Sequence, residues 1–211
     1  MKLYNMNLSN FATKCRIVIY EKNIPVEMVA TPAPDEYKKI NPLGKIPALD
    51  IGTMMIPESE VINEYLEEKY PTPALMPKTP EARAVVRIFT RFHDLYLEPP
   101  LRALFPQLAA KEKDQKLIAD KLAEIGGRLD LLEQHLAAEG FAAGEFSMAD
   151  CAIAPTMFFM VNMLGAFGGK SPLEGRPKLT RWWNHVQTRP SVKKALTEQA
   201  EALAAMQRGA R

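Results

Sequence analysis

The chain has 211 residues, 47% hydrophobic and 25% charged. That composition excludes intrinsic disorder as the main state, because it supplies enough apolar surface to offset the entropy of ordering. Lys and Arg number 27 against 25 Asp and Glu, so there is no general electrostatic case for nucleic acid or an anionic membrane as a partner. Cys15 and Cys151 are too few for a disulfide scaffold and match no metal-ligand spacing, so no metal is expected. The segment before Phe11 lacks the apolar core of a secretory signal. No run approaches the roughly 18 apolar residues of a membrane span, and a cytoplasmic location is expected.

The first third reads as mixed α/β. Lys2 to Asn5 is a strand candidate, and Phe11 to Lys22 carries Cys15, Val18 and Ile19 at helical spacing. Val26 to Ala30 reads as a strand and Asp35 to Ile40 as one or two helical turns. Pro47 to Asp50 and Met54 to Ile56 read as a hairpin turned at Gly52. Glu58 to Lys69 closes the pattern as a helix, giving β-α-β-α-β-β-α. Tyr70 to Pro80 holds Pro71, Pro73, Pro77 and Pro80, which a helix interior does not tolerate, so it reads as a linker. Beyond it only helical patterns remain: Glu81 to Leu97, Lys111 to Ala138, Met148 to Leu164, Leu179 to Gln187 and Val192 to Met206. The expected domains are 1–77 and 78–211.

Ser147-Met148-Ala149-Asp150 places a hydroxyl three residues before a carboxylate at the head of an apolar run. This is a capping box with Asp for the usual Glu or Gln, a folding element rather than a catalytic acid. Met157, Met160 and Met163 read first as core, and second as an adaptable apolar wall. Cys15 reads as a buried structural thiol.

Three short segments carry candidate chemistry. In Asn41-Pro42-Leu43-Gly44-Lys45-Ile46-Pro47, the residues alone leave Pro47 either an ordinary trans proline or a cis one. The cis form would turn the Ile46 backbone outward to pair with an extended ligand. Glu58-Ser59 opens a helix: either the two cap and compensate their own dipole, or they hold the ammonium and carboxylate of an α-amino acid end. Ser9, with Asn7 and Asn10 as competitors, precedes the first helix. It is either a plain N-cap or a donor to an anion such as a thiolate.

Together NPLGKIPAL, the Glu58-Ser59 pair, EYLEEKYP and FSMADCAIAP resemble the cytosolic glutathione transferase superfamily over nearly the whole chain. The resemblance implies an α/β thioredoxin-like N-terminal domain followed by an all-α C-terminal domain. It implies a cis Pro47, an Ile46 backbone paired with the cysteinyl part of glutathione, and Glu58 and Ser59 on its γ-glutamyl end. Lys45 would lie near the glycine carboxylate. Ser9 falls at the family's active position, where a hydroxyl stabilises the thiolate but forms no mixed disulfide; a serine-type bacterial member is expected. Phe11, Arg91, His93 and Tyr96 are weaker candidates for an electrophile pocket. Glutathione is then a co-substrate, the second substrate a mostly apolar electrophile, and the assembly a homodimer, for which Tyr65, Phe89 and Phe92 are contact candidates. A non-catalytic alternative is a relative of stringent starvation protein A that binds RNA polymerase.

Overall fold

The computed structural model describes residues 1–209. The chain folds as two compact units. Met1–Met76 and residues 187–209 form one, and Pro77–Val186 form the other.

In the first unit the elements run β1 (Lys2–Asn5), α1 (Asn10–Glu21), β2 (Glu27–Ala30), α2 (Pro34–Ile40), β3 (Ala48–Asp50), β4 (Met55–Pro57) and α3 (Ser59–Lys69). The sheet has the order β2-β1-β3-β4, with β1 parallel to β2 and antiparallel to β3, and β3 antiparallel to β4. Leu3, Leu49 and Ile56 are in register across three strands, and all are buried. Each such side chain contributes about 1.5–3 kcal/mol of burial. This is the thioredoxin-like arrangement expected from the β-α-β-α-β-β-α reading.

The expected linker is not featureless. The buried Lys22 ammonium donates to the carbonyls of Tyr70 at 2.7 Å and Pro73 at 2.6 Å. It also pairs at 2.6 Å with Glu67, whose carboxylate accepts from the backbone N–H groups of Leu75 and Met76. The segment through Met76 is thereby fastened to the first unit.

The second unit holds α4 (Pro80–Phe92), a π-helical turn (His93–Leu97), α5 (Glu98–Ala109), α6 (Gln115–His135), α7 (Met148–Met163), a 3₁₀ turn (Leu164–Phe167) and α8 (Pro177–Val186). Pro99 and Pro100 mark a change of turn rather than a break in the helix. These prolines fall in the first turn of α5, directly after the π turn, whose ladder ends with the Glu98 N–H donating to the His93 carbonyl.

Met148–Phe167 has spanning length and contains an 18-residue stretch of mean hydropathy 1.4, contrary to the reading that no segment approaches it, but 72% of that stretch is buried, as in a core helix. Met157, Met160 and Met163 lie in that core. The capping box at Ser147 and Asp150 is present. The Asp150 carboxylate accepts from the N–H groups of Ser147 at 2.9 Å and Ala142 at 2.8 Å, and from Trp182 Nε1 at 2.7 Å. It is wholly buried, a structural carboxylate.

The last helix, α9 (Pro190–Gly209), follows the helical unit in chain order but packs on α1. Division by packing therefore differs from the expected 1–77 and 78–211 at the C-terminal side, because α9 finds its partners on α1. Arg189 and Ser191 bond Glu21, Glu198 bonds Tyr20, and Gln199 bonds Asn10.

Candidate functional site

Strand register brings the three candidate segments to one end of the sheet. Tyr4 of β1 pairs with Ala48 of β3, so the chain leaving β1 toward Ser9 starts beside the residue that follows Pro47. Ala48 in turn pairs with Pro57, so the end of β4 and the Glu58-Ser59 turn lie on the other side of the same point. Ser9 is remote in sequence from the other two segments, but in the sheet each loop is one strand spacing from the next.

Ser9 is the N-cap of α1, with its Oγ accepting from Ala12 N at 3.3 Å. The hydroxyl acts there as acceptor, so its proton stays available to a further group, at a helix end that favours negative charge. The competitors are otherwise engaged. Asn10 is buried and its Oδ1 accepts from Gln199 at 2.8 Å. Asn7 Oδ1 accepts from Asn5 Nδ2 and from Arg16 Nη1, both at 2.8 Å.

The Ile46–Pro47 bond is cis. Ile46 lies just outside the ladder, whose pairing begins at Ala48. The loop before it is held through one atom. The Lys45 carbonyl accepts from Tyr37 Oη at 2.9 Å and Asn41 Nδ2 at 2.8 Å, while the Lys45 side chain is exposed. Gly44 has φ +60°, a left-handed conformation that suits glycine.

Glu58 has φ +67° and is exposed, whereas Ser59 behind it is buried. A non-glycine residue in that region costs on the order of 1–3 kcal/mol, and such residues concentrate at binding sites. Ser59 is the first residue of α3, and among the described residues the N-cap Glu58 side chain makes no capping bond at that end, so its N–H groups are suited to an anion. Two contacts tie this turn to α1: Cys15 Sγ donates to the Ser59 carbonyl at 3.5 Å, and the buried Lys14 ammonium pairs with Glu60 at 2.6 Å.

Of the weaker candidates, one belongs to the first unit and three to the second. Phe11 lies in the first unit, with the Lys14 ammonium 5.3 Å from its ring centre. Arg91 is exposed on α4, and Tyr96 is exposed beside Phe92 and Arg128. His93 differs from expectation. It is fully buried, with Nδ1 2.8 Å from Asp94 and Nε2 2.7 Å from Thr156, which itself donates to Glu98. With both nitrogens in a buried network, the ring braces the π turn rather than facing a pocket. Phe89 is likewise buried and unavailable as a contact between subunits. The large apolar residues exposed on α4 are Val85 and Ile88.

Sequence reasoning passed over Tyr37, Asn41 and Arg16. Asn41 before Pro42 is a visible turn signal. An arginine followed by Ile17-Val18-Ile19 signals a buried charge in need of partners.

Family models match both parts of the chain. Residues 3–74 match the family described as Glutathione S-transferase, N-terminal domain, and residues 92–190 match Glutathione S-transferase, C-terminal domain. Glutathione S-transferase F9 of Arabidopsis thaliana is 31% identical over 170 residues, 77% of this chain and 78% of that protein. The crystal structure of glutathione transferase F2 from Populus trichocarpa superposes with a TM-score of 0.81 at 28% identity, covering 95% of this chain and 99% of that one. A glutathione S-transferase from Methylobacillus flagellatus KT, solved with GSH bound, gives a TM-score of 0.81 at 27% identity, over 92% and 98% of the two chains.

Proposed function

This chain belongs to the glutathione S-transferase family and is a glutathione-using enzyme, and we propose that it activates glutathione through Ser9 for attack on a mostly apolar electrophile. The observation that carries the reading is the meeting of the Ser9, Ile46-Pro47 and Glu58-Ser59 segments at one end of the sheet.

The tripeptide lies across that end. Its cysteinyl backbone pairs with the N–H and C=O of Ile46, beyond the last ladder position. The γ-glutamyl carboxylate takes the N-terminus of α3 and the Ser59 hydroxyl, and the ammonium takes the Glu58 carboxylate. Lys45 stands toward the glycine carboxylate. The thiol reaches Ser9, whose hydroxyl donates to the sulfur while the thiol proton passes to solvent water. Helix dipole and hydroxyl together favour the thiolate, raising the fraction of nucleophile at neutral pH. The sulfur lone pair then forms a C–S bond as the leaving group departs with the bonding electrons, and serine never acts as the base. Phe11, Arg91 and Tyr96 remain candidates for electrophile contacts, while His93 drops out for want of exposure. The exposed Val85 and Ile88 on α4 support a homodimeric assembly.

Titration calorimetry with glutathione tests the reading. Saturable heat with a Kd in the micromolar to low millimolar range is expected, as is its loss in Ser59→Ala combined with Glu58→Ala. No heat from the wild-type chain up to several millimolar glutathione would overturn it and favour a non-catalytic binding protein.

A further inference from the structure

We infer that the C-terminal helix α9 sets the position of Ser9, with Glu198 as a positioning residue that acts through Arg16; the inference rests on the glutathione reading above. The contacts form a continuous path. Glu198 Oε2 lies 3.2 Å from Arg16 Nε, as an ion pair rather than an aligned hydrogen bond. The Arg16 guanidinium donates through Nη1 to Asn5 Oδ1 at 2.9 Å and Asn7 Oδ1 at 2.8 Å. Through Nη2 it donates to the Asn7 carbonyl at 3.1 Å and to Thr13 Oγ1 at 2.8 Å. Thr13 Oγ1 gives its own proton to the Ser9 carbonyl at 2.8 Å. One cation thus holds the end of β1, the turn after it and the first turn of α1, with Ser9 between them.

The physical reason for involving α9 is charge. The Arg16 side chain is 1% exposed, and a buried cation needs a counter-charge as well as hydrogen-bond acceptors. Asn5, Asn7 and Thr13 supply dipoles only; Glu198 supplies the carboxylate. Burial pulls the Arg16 pKa below its ordinary value, and Glu198 opposes that pull. Glu198 is itself fixed, since Tyr20 Oη donates to its carboxylate at 2.9 Å. The next residue on α9, Gln199, donates to Asn10 Oδ1 at 2.8 Å. The helix therefore grips the residue after Ser9 directly and the turn before it through Arg16.

Position and field predict opposite signs. Glu198→Gln removes a negative charge while keeping the shape. Acting through the field alone, it would leave more positive surroundings, favour the thiolate and lower the bound thiol pKa. Acting through position, it loosens Arg16 and the turn, moves the Ser9 donor off the sulfur and raises that pKa.

The test uses the full chain and the pH profile of turnover with glutathione and an activated aryl chloride. For Glu198→Gln we expect kcat lower by about tenfold, the scale of a small misplacement at a reacting centre. The KM for the aryl chloride should be unchanged and the kinetic thiol pKa higher by about half to one unit. Glu198→Asp should recover part of the loss. Tyr20→Phe, which keeps the ion pair and removes one hydrogen bond, should shift both quantities less and in the same direction. It decides the matter should Glu198→Gln fail to fold. A wild-type kcat and pKa in these variants, or a lowered pKa, would overturn the positioning role while leaving the glutathione reading intact if Ser9→Ala is impaired. A wild-type chain that gives no heat with glutathione would overturn both.

Discussion

Replacing Ser9 with Ala separates the cap that its hydroxyl forms from the thiolate contact proposed for it. As a cap, Oγ accepts from Ala12 N at 3.3 Å, just beyond the usual range, so the stability loss should sit at the low end for N-caps, about 0.5–1 kcal/mol. As a donor to a thiolate, the same hydroxyl makes a hydrogen bond to a charged group, worth about 1.5–3 kcal/mol. That energy corresponds to a rise of about one to two units in the pKa of the bound thiol. Below the new pKa it corresponds to a loss of roughly 10- to 150-fold in turnover. The assay is the pH dependence of kcat with an activated aryl chloride at saturating glutathione, alongside thermal melts and calorimetry. Turnover should fall far more than glutathione affinity, and raising the pH should recover much of it. Ser9→Thr should keep both the cap and the donor. A Ser9→Ala enzyme with an unshifted profile would refute the reasoning and leave the thiolate to a backbone N–H.

Tyr37→Phe deletes one of two donors to the Lys45 carbonyl, at about 0.5–1.5 kcal/mol; the KM for glutathione should rise a few-fold with kcat little changed, and an unchanged KM would show that the loop needs only Asn41. Burial pushes Asp150 up to about 6 against the pull of its donors Ala142, Trp182 and Ser147. Its folded pKa is thus above the unfolded one, the native state binds the extra proton, and stability should fall as pH rises from about 4 to about 6, by up to roughly 3 kcal/mol. Urea titrations across that range, compared with Asp150→Asn, check the sign; a wild type that gains on the variant would mean that the donors outweigh burial. Ile88→Asp on the exposed face of α4 should convert the proposed homodimer to monomers in analytical ultracentrifugation, and a retained dimer would exclude that face.

The alternation of elements in the first third, the all-helical remainder and the capping box are legible in the chain because each is written in local periodicity and short-range hydrogen bonding. Ser9, Ile46-Pro47 and Glu58-Ser59 are legible too, since a residue type at a loop or helix start is visible without a fold. Which of these segments meet is a matter of packing. Register among β1, β3 and β4 brings the three loops together, and pairing partners are not encoded in any one segment. Packing also seals His93 in a network with Thr156 and Glu98, although a lone histidine on a helix looks the same in sequence whichever way it faces. It places α9 with α1. The counter-charge of a buried arginine depends on what the folded chain brings beside it, and here that is a glutamate on the last helix.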